Sequence, residues 1–203
     1  KYFYRYIARV PLEDEPEQIA TFLGSRVHEA LEHLYNATRS GQKLPLAKLI
    51  AFYRTAWAEN WNDGVVIHDD SRPTHQRAVG EQCLRDYYRR FQPFDQARTV
   101  GLEQLVTFPL DKAGRYKMRG YIDRLACTGD GVWQVHDYKT NSRLPTQQDK
   151  DADPQLAYYE IGIRWMWKDI REVQLLWHFL RFDQTIVSSR TSAQLAELQS
   201  RTV

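Results

Sequence analysis

The feature that most constrains the fold is a pair of predicted β-strands in residues 118–140, MRGYIDRLACTGDGVWQVHDYKT. A Thr-Gly-Asp-Gly turn separates them, and strands joined by so short a turn pair antiparallel. Asp123 lies in the first strand and the triplet Asp137-Tyr138-Lys139 in the second. Because side chains alternate along a strand, Asp137 and Lys139 share a face, and pairing across the turn brings Asp123 near Asp137. The stretch therefore predicts two carboxylates and a lysine at one place on a sheet.

The hydrophobic pattern predicts helices before this stretch and strands around it. Helices are predicted at residues 1–10, 17–38, 46–61 and 73–91, with a linker at 11–16 and a polar loop at 62–71. Strands are predicted at 99–110, 116–127, 132–140, 173–182 and 185–190, with a polar loop at 141–152, a helix from about 153 to 167 and a closing helix at 192–201. A helix between the third and fourth strands permits a crossover and a parallel pair.

These elements predict a mixed α/β sheet flanked by helices. We expect one domain over residues 1–203, in which residues 1–95 are mainly helical and residues 96–203 form the sheet core with the candidate site. The alternation in the strand at 99–110 slips once, at Leu105-Val106.

The composition is that of a globular chain, with 42% hydrophobic and 27% charged residues. No apolar run approaches the ~18–20 residues of a membrane helix, and the N-terminus lacks the apolar core of a signal peptide, so we expect a cytoplasmic protein. A net charge of +2 neither requires nor excludes nucleic-acid binding. Cys83 and Cys127 are expected to be reduced, buried thiols, too few for a zinc or iron–sulfur site.

Two carboxylates and a lysine suit the hydrolysis of phosphodiesters. Mg²⁺ or Mn²⁺ prefers carboxylate and carbonyl oxygens, and a bound ion lowers the pKa of its water and stabilises the charge that develops on phosphate. A lysine beside the carboxylates can orient that water, help to take its proton or supply positive charge near the scissile phosphate. The alternative is that Asp123, Asp137 and Lys139 form ordinary ion pairs on a solvated sheet.

Two glycine-containing segments extend the candidate site. Helical spacing places Gly24 and His28 on one stripe, where the glycine would let another backbone approach and the imidazole could be an additional metal ligand. Gly120, inside a predicted strand, indicates a bulge or a close backbone neighbour. The alternative for His28 is an ordinary core histidine.

Gln155 and Tyr159 lie four residues apart, on one face of the helix that follows the candidate strand and its loop. An amide and a phenol there could bond to a DNA phosphate or to a metal-bound water. The alternative is a solvated glutamine and a core tyrosine.

Taken in order, these segments resemble a known family. They read G-x-x-x-H at 24–28, G-x-I-D at 120–123, D-x-K at 137–139 and Q-x-x-x-Y at 155–159. This set is similar to the RecB-like nuclease branch of the PD-(D/E)xK superfamily, which includes the nuclease domains of the RecB and AddB helicase–nucleases and a group of CRISPR-associated nucleases. The resemblance runs from the opening aromatic segment to about residue 164. It implies a restriction-endonuclease-like fold and a divalent-metal-dependent DNA nuclease, an exonuclease, acting in DNA repair, recombination or CRISPR-type DNA processing.

The resemblance also implies a role for each residue. Mg²⁺ or Mn²⁺ would be the cofactor, and DNA, as single strands or duplex ends, the substrate, with a helicase or another repair or CRISPR protein as a further partner. Glu103 matches an acidic position of the family, and we expect it to support the ligands or to add a carboxylate. The remaining roles are metal binding for His28, Asp123, Asp137 and the Tyr138 carbonyl, catalysis for Lys139, and support of the site and of DNA for Gln155 and Tyr159.

The chain departs from many of those relatives in its cysteines. They hold an iron–sulfur cluster with one cysteine before the opening helix and three near the C-terminus, and no cysteine stands at those places here. Either the protein lacks the cluster or the sequence is a fragment without those cysteines, and we expect no cluster within this chain.

The sequence is compatible with two other functions. The dipeptide His136-Asp137 occurs in HD-type phosphohydrolases, but those need further histidines and aspartates on helices, and this dipeptide lies in a predicted strand. A nuclease-like module that binds nucleic acid without cutting it is the other. Holding DNA does not require two aspartates, a lysine and a histidine together, which favours the enzyme.

Overall fold

A computed structural model describes residues 16–67, 72–111, 113–168 and 170–202. Within these ranges, three helices precede a three-stranded meander, and two more strands come after a helical connection. The elements are α1 Ile19–Arg39, α2 Leu46–Asn60, α3 Pro73–Phe91, β1 Arg98–Pro109, β2 Lys117–Cys127, β3 Val132–Lys139, α4 Gln147–Ala152, α5 Gln155–Met166, β4 Glu172–Phe179, β5 Gln184–Ser188 and α6 Ser192–Thr202.

The strands form one sheet in chain order, β1-β2-β3-β4-β5. Neighbouring strands are antiparallel except β3 and β4, which are parallel. The connection between these two strands contains α4 and α5, because a parallel pair needs a crossover. The prediction of a mixed sheet flanked by helices, with a helical N-terminal part, is confirmed.

Helices cover both faces of the sheet. On one face a large apolar cluster joins α1, α2 and α3 and includes the Tyr138 side chain of β3. On the other face α5 contributes Leu156 and Ile163 to a second cluster with Val135 and Trp177. The alternation predicted for β3 is therefore confirmed, since Val135 and Tyr138 belong to opposite clusters.

Several predicted boundaries were wrong. The predicted loop at 141–152 contains the helix α4, which begins with a capping box in which Thr146 and Asp149 bond each other's backbone N–H groups. The fourth strand ends at Phe179, and Leu180–Phe182 form a single 3₁₀ turn. The predicted helix at 1–10, most of the linker at 11–16 and the end of the loop at 62–71 lie outside the described residues.

Two further expectations concern cysteines and membranes. Both cysteines are free thiols; Cys83 is buried as predicted, whereas Cys127 is only half-buried. Within the described ranges, no helix has the length and apolar character that spanning a membrane requires.

Candidate functional site

Strands β2 and β3 separate at the predicted site. Their ladder ends at the pair Arg124–His136, so Asp123 and Asp137 are the first residues beyond it. The backbone N–H of Tyr138, which would otherwise face β2, donates to Asp123 Oδ2 at 2.8 Å. The carboxylate side chain of Asp123 thus replaces a backbone partner on β2. We call the place where the two strands separate, at Asp123 on β2 and Asp137 on β3, the fork.

His28 reaches the fork from α1. Its Nε2 lies 2.7 Å from the carbonyl oxygen of Tyr138, and its Nδ1 lies 3.5 Å from Asp123 Oδ2. The carbonyl can only accept, so Nε2 donates to it. The close neighbour of Gly24 is the Thr140 hydroxyl, 3.3 Å from where a Cβ would stand, and not another backbone as predicted.

Glu103 joins the same place from β1. Leu102 pairs with Arg124 and Gln104 with Ile122, which puts Glu103 opposite Asp123. Its backbone φ is +42°, a left-handed conformation that costs a residue with a side chain roughly 1–3 kcal/mol and is often found at functional sites. Burial, and then the charge of Asp123, raise the pKa of the Glu103 carboxyl.

Three candidate metal ligands therefore meet at the fork. One ligand atom each from His28, Glu103 and Asp123 lies within 4.8 Å of the others. Two atoms that bind one ion at ~2.0–2.6 Å can lie up to about 4–5 Å apart, so the three side chains fit a single divalent cation. The carbonyl of Tyr138 lies against the same imidazole.

Asp137 is held in a separate arrangement on the other arm of the fork. Its side chain is almost fully buried, and its Oδ1 accepts from Lys139 Nζ at 3.0 Å and from Gln155 Nε2 at 3.3 Å. Its Oδ2 lies 2.8 Å from Lys139 Nζ but accepts no hydrogen bond. This oxygen is held by the charge of the ammonium group alone, and it is the oxygen of Asp137 that a bound metal ion could share.

The charges around Asp137 oppose one another. Burial raises the pKa of Asp137 to about 6, although Lys139 acts to lower it. Burial would lower the pKa of Lys139, but the carboxylate of Asp137 outweighs it and the pKa is raised. Lys139 therefore keeps its proton while it is paired with Asp137. It can supply positive charge in this state but cannot act as a base.

A cavity of about 300 Å³ opens beside Lys139. Asn141, Arg143 and Lys150 contribute to its lining, together with Phe179. Lys139, Arg143 and Lys150 place three cationic side chains around the cavity against one carboxylate, Asp149, and this excess of positive charge favours an anionic ligand such as a phosphate group.

Helix α5 supports both strands of the fork. Gln155, in its first turn, holds Asp137 by the contact described above. Tyr159, one turn later, lies against Gly120 of β2, where a Cβ would stand only 2.6 Å from Tyr159 Cε1. The pairing of β1 with β2 runs without a break past Gly120. The glycine therefore makes room for an aromatic ring, and the predicted bulge or close backbone was wrong.

The structure thus places the predicted residues in two adjoining groups. His28, Asp123 and the Tyr138 carbonyl meet with Glu103, and Asp137 meets Lys139 and Gln155. Tyr159 lies beside the second group against β2.

The other face of β3 carries a buried polar network that the sequence did not reveal. Arg124 NH1 lies 3.3 Å from His136 Nε2, and His136 Nδ1 lies 2.9 Å from His178 Nε2. His136 therefore points away from Asp137, towards the cluster of α1 to α3. The dipeptide His136-Asp137 does not form the paired metal ligands of an HD-type phosphohydrolase.

Comparison with known families agrees with this geometry. A family model described as the PD-(D/E)XK nuclease superfamily matches residues 1–201. The matched range includes all the candidate site residues, which are His28, Glu103, Asp123, Asp137, Tyr138, Lys139, Gln155 and Tyr159. A comparison with curated proteins found no match.

Proposed function

The chain belongs to the PD-(D/E)XK nuclease superfamily, and on that premise we propose that it is a divalent-metal-dependent DNA exonuclease. Nuclease function, DNA as the substrate and the general use of divalent metals follow from membership of the superfamily. Removal of nucleotides from an end, a role in repair, recombination or CRISPR-type processing, and a helicase partner are supported by the RecB-like order of the four motifs.

The observation that carries the proposal is the convergence of ligands at the fork. We assign His28, Glu103, Asp123 and the Tyr138 carbonyl as metal ligands, and Asp137 as a further ligand through the oxygen that accepts no hydrogen bond. Mg²⁺ or Mn²⁺ bound there would activate a water molecule and stabilise the charge developing on the phosphate. The expectation that Glu103 adds a carboxylate is thus favoured over a purely supporting role.

Lys139 acts as a fixed positive charge in this proposal. Its ammonium group is anchored on Asp137 and its side chain is about one-third exposed, at 30%. It can therefore contact a phosphate in the adjoining cavity, where preorganised charge stabilises the transition state. Gln155 positions Asp137, and Tyr159 positions β2 by packing on Gly120.

Cleavage of end-labelled DNA in Mg²⁺ or Mn²⁺ tests the activity and the role of Lys139. We expect Lys139→Ala to cut at least ~100-fold more slowly, because removing one preorganised charge from a transition state costs about this much. Lys48→Ala, an exposed lysine on α2, is the matched control and should cut like the wild type. Unchanged cleavage by Lys139→Ala would remove its catalytic role, and DNA binding without cleavage in either metal would indicate a binding module.

Calorimetric titration with Mn²⁺ tests the ligands without depending on cleavage. We expect Glu103→Gln to weaken Mn²⁺ binding at least ~10-fold, since a neutral amide is a poorer ligand than a carboxylate for a hard cation. Glu197→Gln, an exposed position on α6, is the control. Equal Mn²⁺ affinity of Glu103→Gln and the wild type would exclude Glu103 as a ligand.

A further inference from the structure

The β1–β2 hairpin extends beyond the fork and leaves one of its faces open. Gly120 and Ile122 of β2 face α5, where they meet Tyr159 and the second apolar cluster. Alternation therefore turns Lys117, Arg119 and Tyr121 to the opposite face. All three side chains are exposed, and Tyr121 is 47% exposed. We call these three residues the β2 ledge.

The β2 ledge continues from the proposed metal site. Asp123 has the same parity along β2 as Tyr121, and the two are neighbours on that face. With a strand rise of ~3.4 Å per residue, Tyr121 stands about 7 Å from Asp123 and Arg119 about 14 Å. On β1, the exposed residues Leu105 and Thr107 lie opposite Tyr121 and Arg119 and widen the open face.

The tyrosine of the ledge is held in place. Arg119 NH2 donates to the Tyr121 hydroxyl at 2.9 Å, and its guanidinium carbon lies 5.7 Å from the centre of the ring. An exposed aromatic side chain usually loses rotamer freedom when it binds, and this restraint reduces that loss. The ring is thereby prepared as a flat platform.

The cations of the ledge are free to bind an anion. Within the described part of the chain, no carboxylate lies within ion-pair distance of Lys117 or Arg119, whereas the nearby Arg115 is paired with Asp111 at 2.9 Å. Unpaired cations in a row beside an exposed aromatic ring match a chain of phosphates that carries flat bases.

We propose that the β2 ledge binds single-stranded DNA next to the bond that is cut. Tyr121 stacks on an unpaired base, and Arg119 and Lys117 contact the phosphates beyond it. A single strand is required because the faces of paired bases are covered by their neighbours in a duplex. The inference rests on the proposed function for the position of the cut, while the binding itself does not depend on catalysis.

Fluorescence anisotropy with a labelled oligothymidylate tests the ledge, using the full chain in EDTA so that no cleavage occurs. We expect Tyr121→Ala to weaken binding about 5- to 150-fold, the range for loss of one base–aromatic stack. Tyr121→Phe should bind much more tightly than Tyr121→Ala because it keeps the ring, and slightly less tightly than the wild type because it loses the hydrogen bond from Arg119. Trp165→Ala removes an aromatic side chain that is 62% exposed on α5, and it should have no effect.

The salt dependence of binding tests the phosphate contact of Lys117. Each phosphate contact to a single strand contributes about 0.7 to the slope of log affinity against log salt concentration. We expect Lys117→Ala to reduce this slope by about 0.7, and Arg201→Ala, an exposed arginine of α6, to leave it unchanged. An unchanged slope for Lys117→Ala would overturn its phosphate contact.

Different experimental results would overturn the ledge proposal and the proposed function. Nuclease activity together with wild-type affinity of Tyr121→Ala for oligothymidylate would overturn the ledge and leave the fork intact. Loss of binding in Tyr121→Ala, with no cleavage by the wild type, would overturn the nuclease and leave the ledge. Equal loss of single-strand and blunt-duplex binding in Tyr121→Ala would overturn the stacking of an unpaired base.

Discussion

The two faces of strand β3 satisfy their polar groups in opposite ways. On one face lie His136 and His178, and each of the two rings has a hydrogen-bond partner at both nitrogens. On the face of Asp137, one carboxylate oxygen accepts no hydrogen bond, although it is buried beside Lys139. His136 therefore belongs to a network in which each ring nitrogen has a hydrogen-bond partner. Its neighbour Asp137 belongs to an ion pair in which one oxygen has no hydrogen bond.

The completed network has a fixed direction. The guanidinium of Arg124 can only donate, so His136 accepts at Nε2 and carries its proton on Nδ1. His136 then donates to His178 Nε2, and His178 donates from Nδ1 to the Thr185 hydroxyl at 3.0 Å. These four residues lie on β2, β3, β4 and β5 in turn, so the network ties four strands together.

The two histidines of the network are uncharged. Burial lowers the pKa of His178 to about 3, with Arg124 adding to the effect, and the pKa of His136 is lowered for the same reasons. Both rings are therefore neutral at physiological pH and leave Arg124 as the cation of the network. The comparison indicates that hydrogen bonds on the His136 face join the strands, whereas the Asp137 face has one carboxylate oxygen that is held only by the charge of Lys139 and can bind a ligand.

Arg124→Leu breaks the network on the His136 face and should have the largest effect on stability. It leaves His136 Nε2, the Thr99 hydroxyl and the Ala97 carbonyl without their 3.0–3.3 Å partner. We expect unfolding in urea to require about 3–5 kcal/mol less free energy, as for other losses of a buried charged group. The folded fraction should still cut DNA.

The control for this change is Arg89→Leu, which removes an exposed arginine paired with Asp86 and should cost under ~0.5 kcal/mol. Equal stability of Arg124→Leu and the wild type would contradict the importance of the network. A well-folded but inactive Arg124→Leu would show that the two faces are not independent.

Asp137→Asn tests the Asp137 face through the pH dependence of the free energy of unfolding. The pKa of Asp137 is about 6 in the folded chain against 3.8 for an ordinary aspartate, so the folded chain without metal binds a proton at this carboxyl more tightly than the unfolded chain does. This contribution to stability is complete below the unfolded value and is lost as pH rises through the folded one. In EDTA, we expect the wild type to lose about 2–2.5 kcal/mol relative to Asp137→Asn between pH 4 and pH 7.5.

Urea unfolding of both proteins across this pH range measures the difference. Asp95→Asn, which changes an exposed carboxylate, should follow the wild type at every pH. A constant difference between Asp137→Asn and the wild type would contradict the raised pKa. Asp137→Asn should in addition lose cleavage.

Tyr87→Phe should have the smallest effect of the three. The Tyr87 hydroxyl lies 2.7 Å from that of Tyr35 and 3.3 Å from that of Tyr138, so its removal leaves two buried phenols with one partner fewer. We expect a loss of about 1–2 kcal/mol in urea unfolding, with cleavage unchanged. Tyr116→Phe, at a half-exposed position, should be neutral, and a loss of cleavage in Tyr87→Phe would place this hydroxyl in the function.

The sequence predicted the fork well where local periodicity determines it. Alternation alone put Asp137 and Lys139 on one face because β3 is a regular, buried strand. The bounds of α3 were predicted correctly because Pro73 marks its first turn and Pro93 follows its end. Thr146 and Asp149 have the spacing of a capping box, so the sequence also contains a local signal for the start of α4.

Other parts of the site depend on contacts between distant segments. The alternation of β1 slips at Leu105-Val106 in the sequence, whereas the structure has a register shift between Thr99 and Gly101 and a left-handed backbone at Glu103, and no local pattern indicates either. The partner of His136 is His178, 42 residues later, and only the parallel pairing of β3 with β4 brings them together. These features depend on the pairing of distant strands, which the local periodicity of the sequence does not indicate.

The close approach of Gly120 and Tyr159 has a consequence for how this sequence can diverge. The two positions share one volume, because a methyl group at residue 120 would overlap the ring at residue 159. Substitutions at these positions should therefore be epistatic: Gly120→Ala should be harmful alone and better tolerated with Tyr159→Leu. Homologues should show a larger residue at one position only with a smaller one at the other, which would make this pair a covarying signature of the link between β2 and α5.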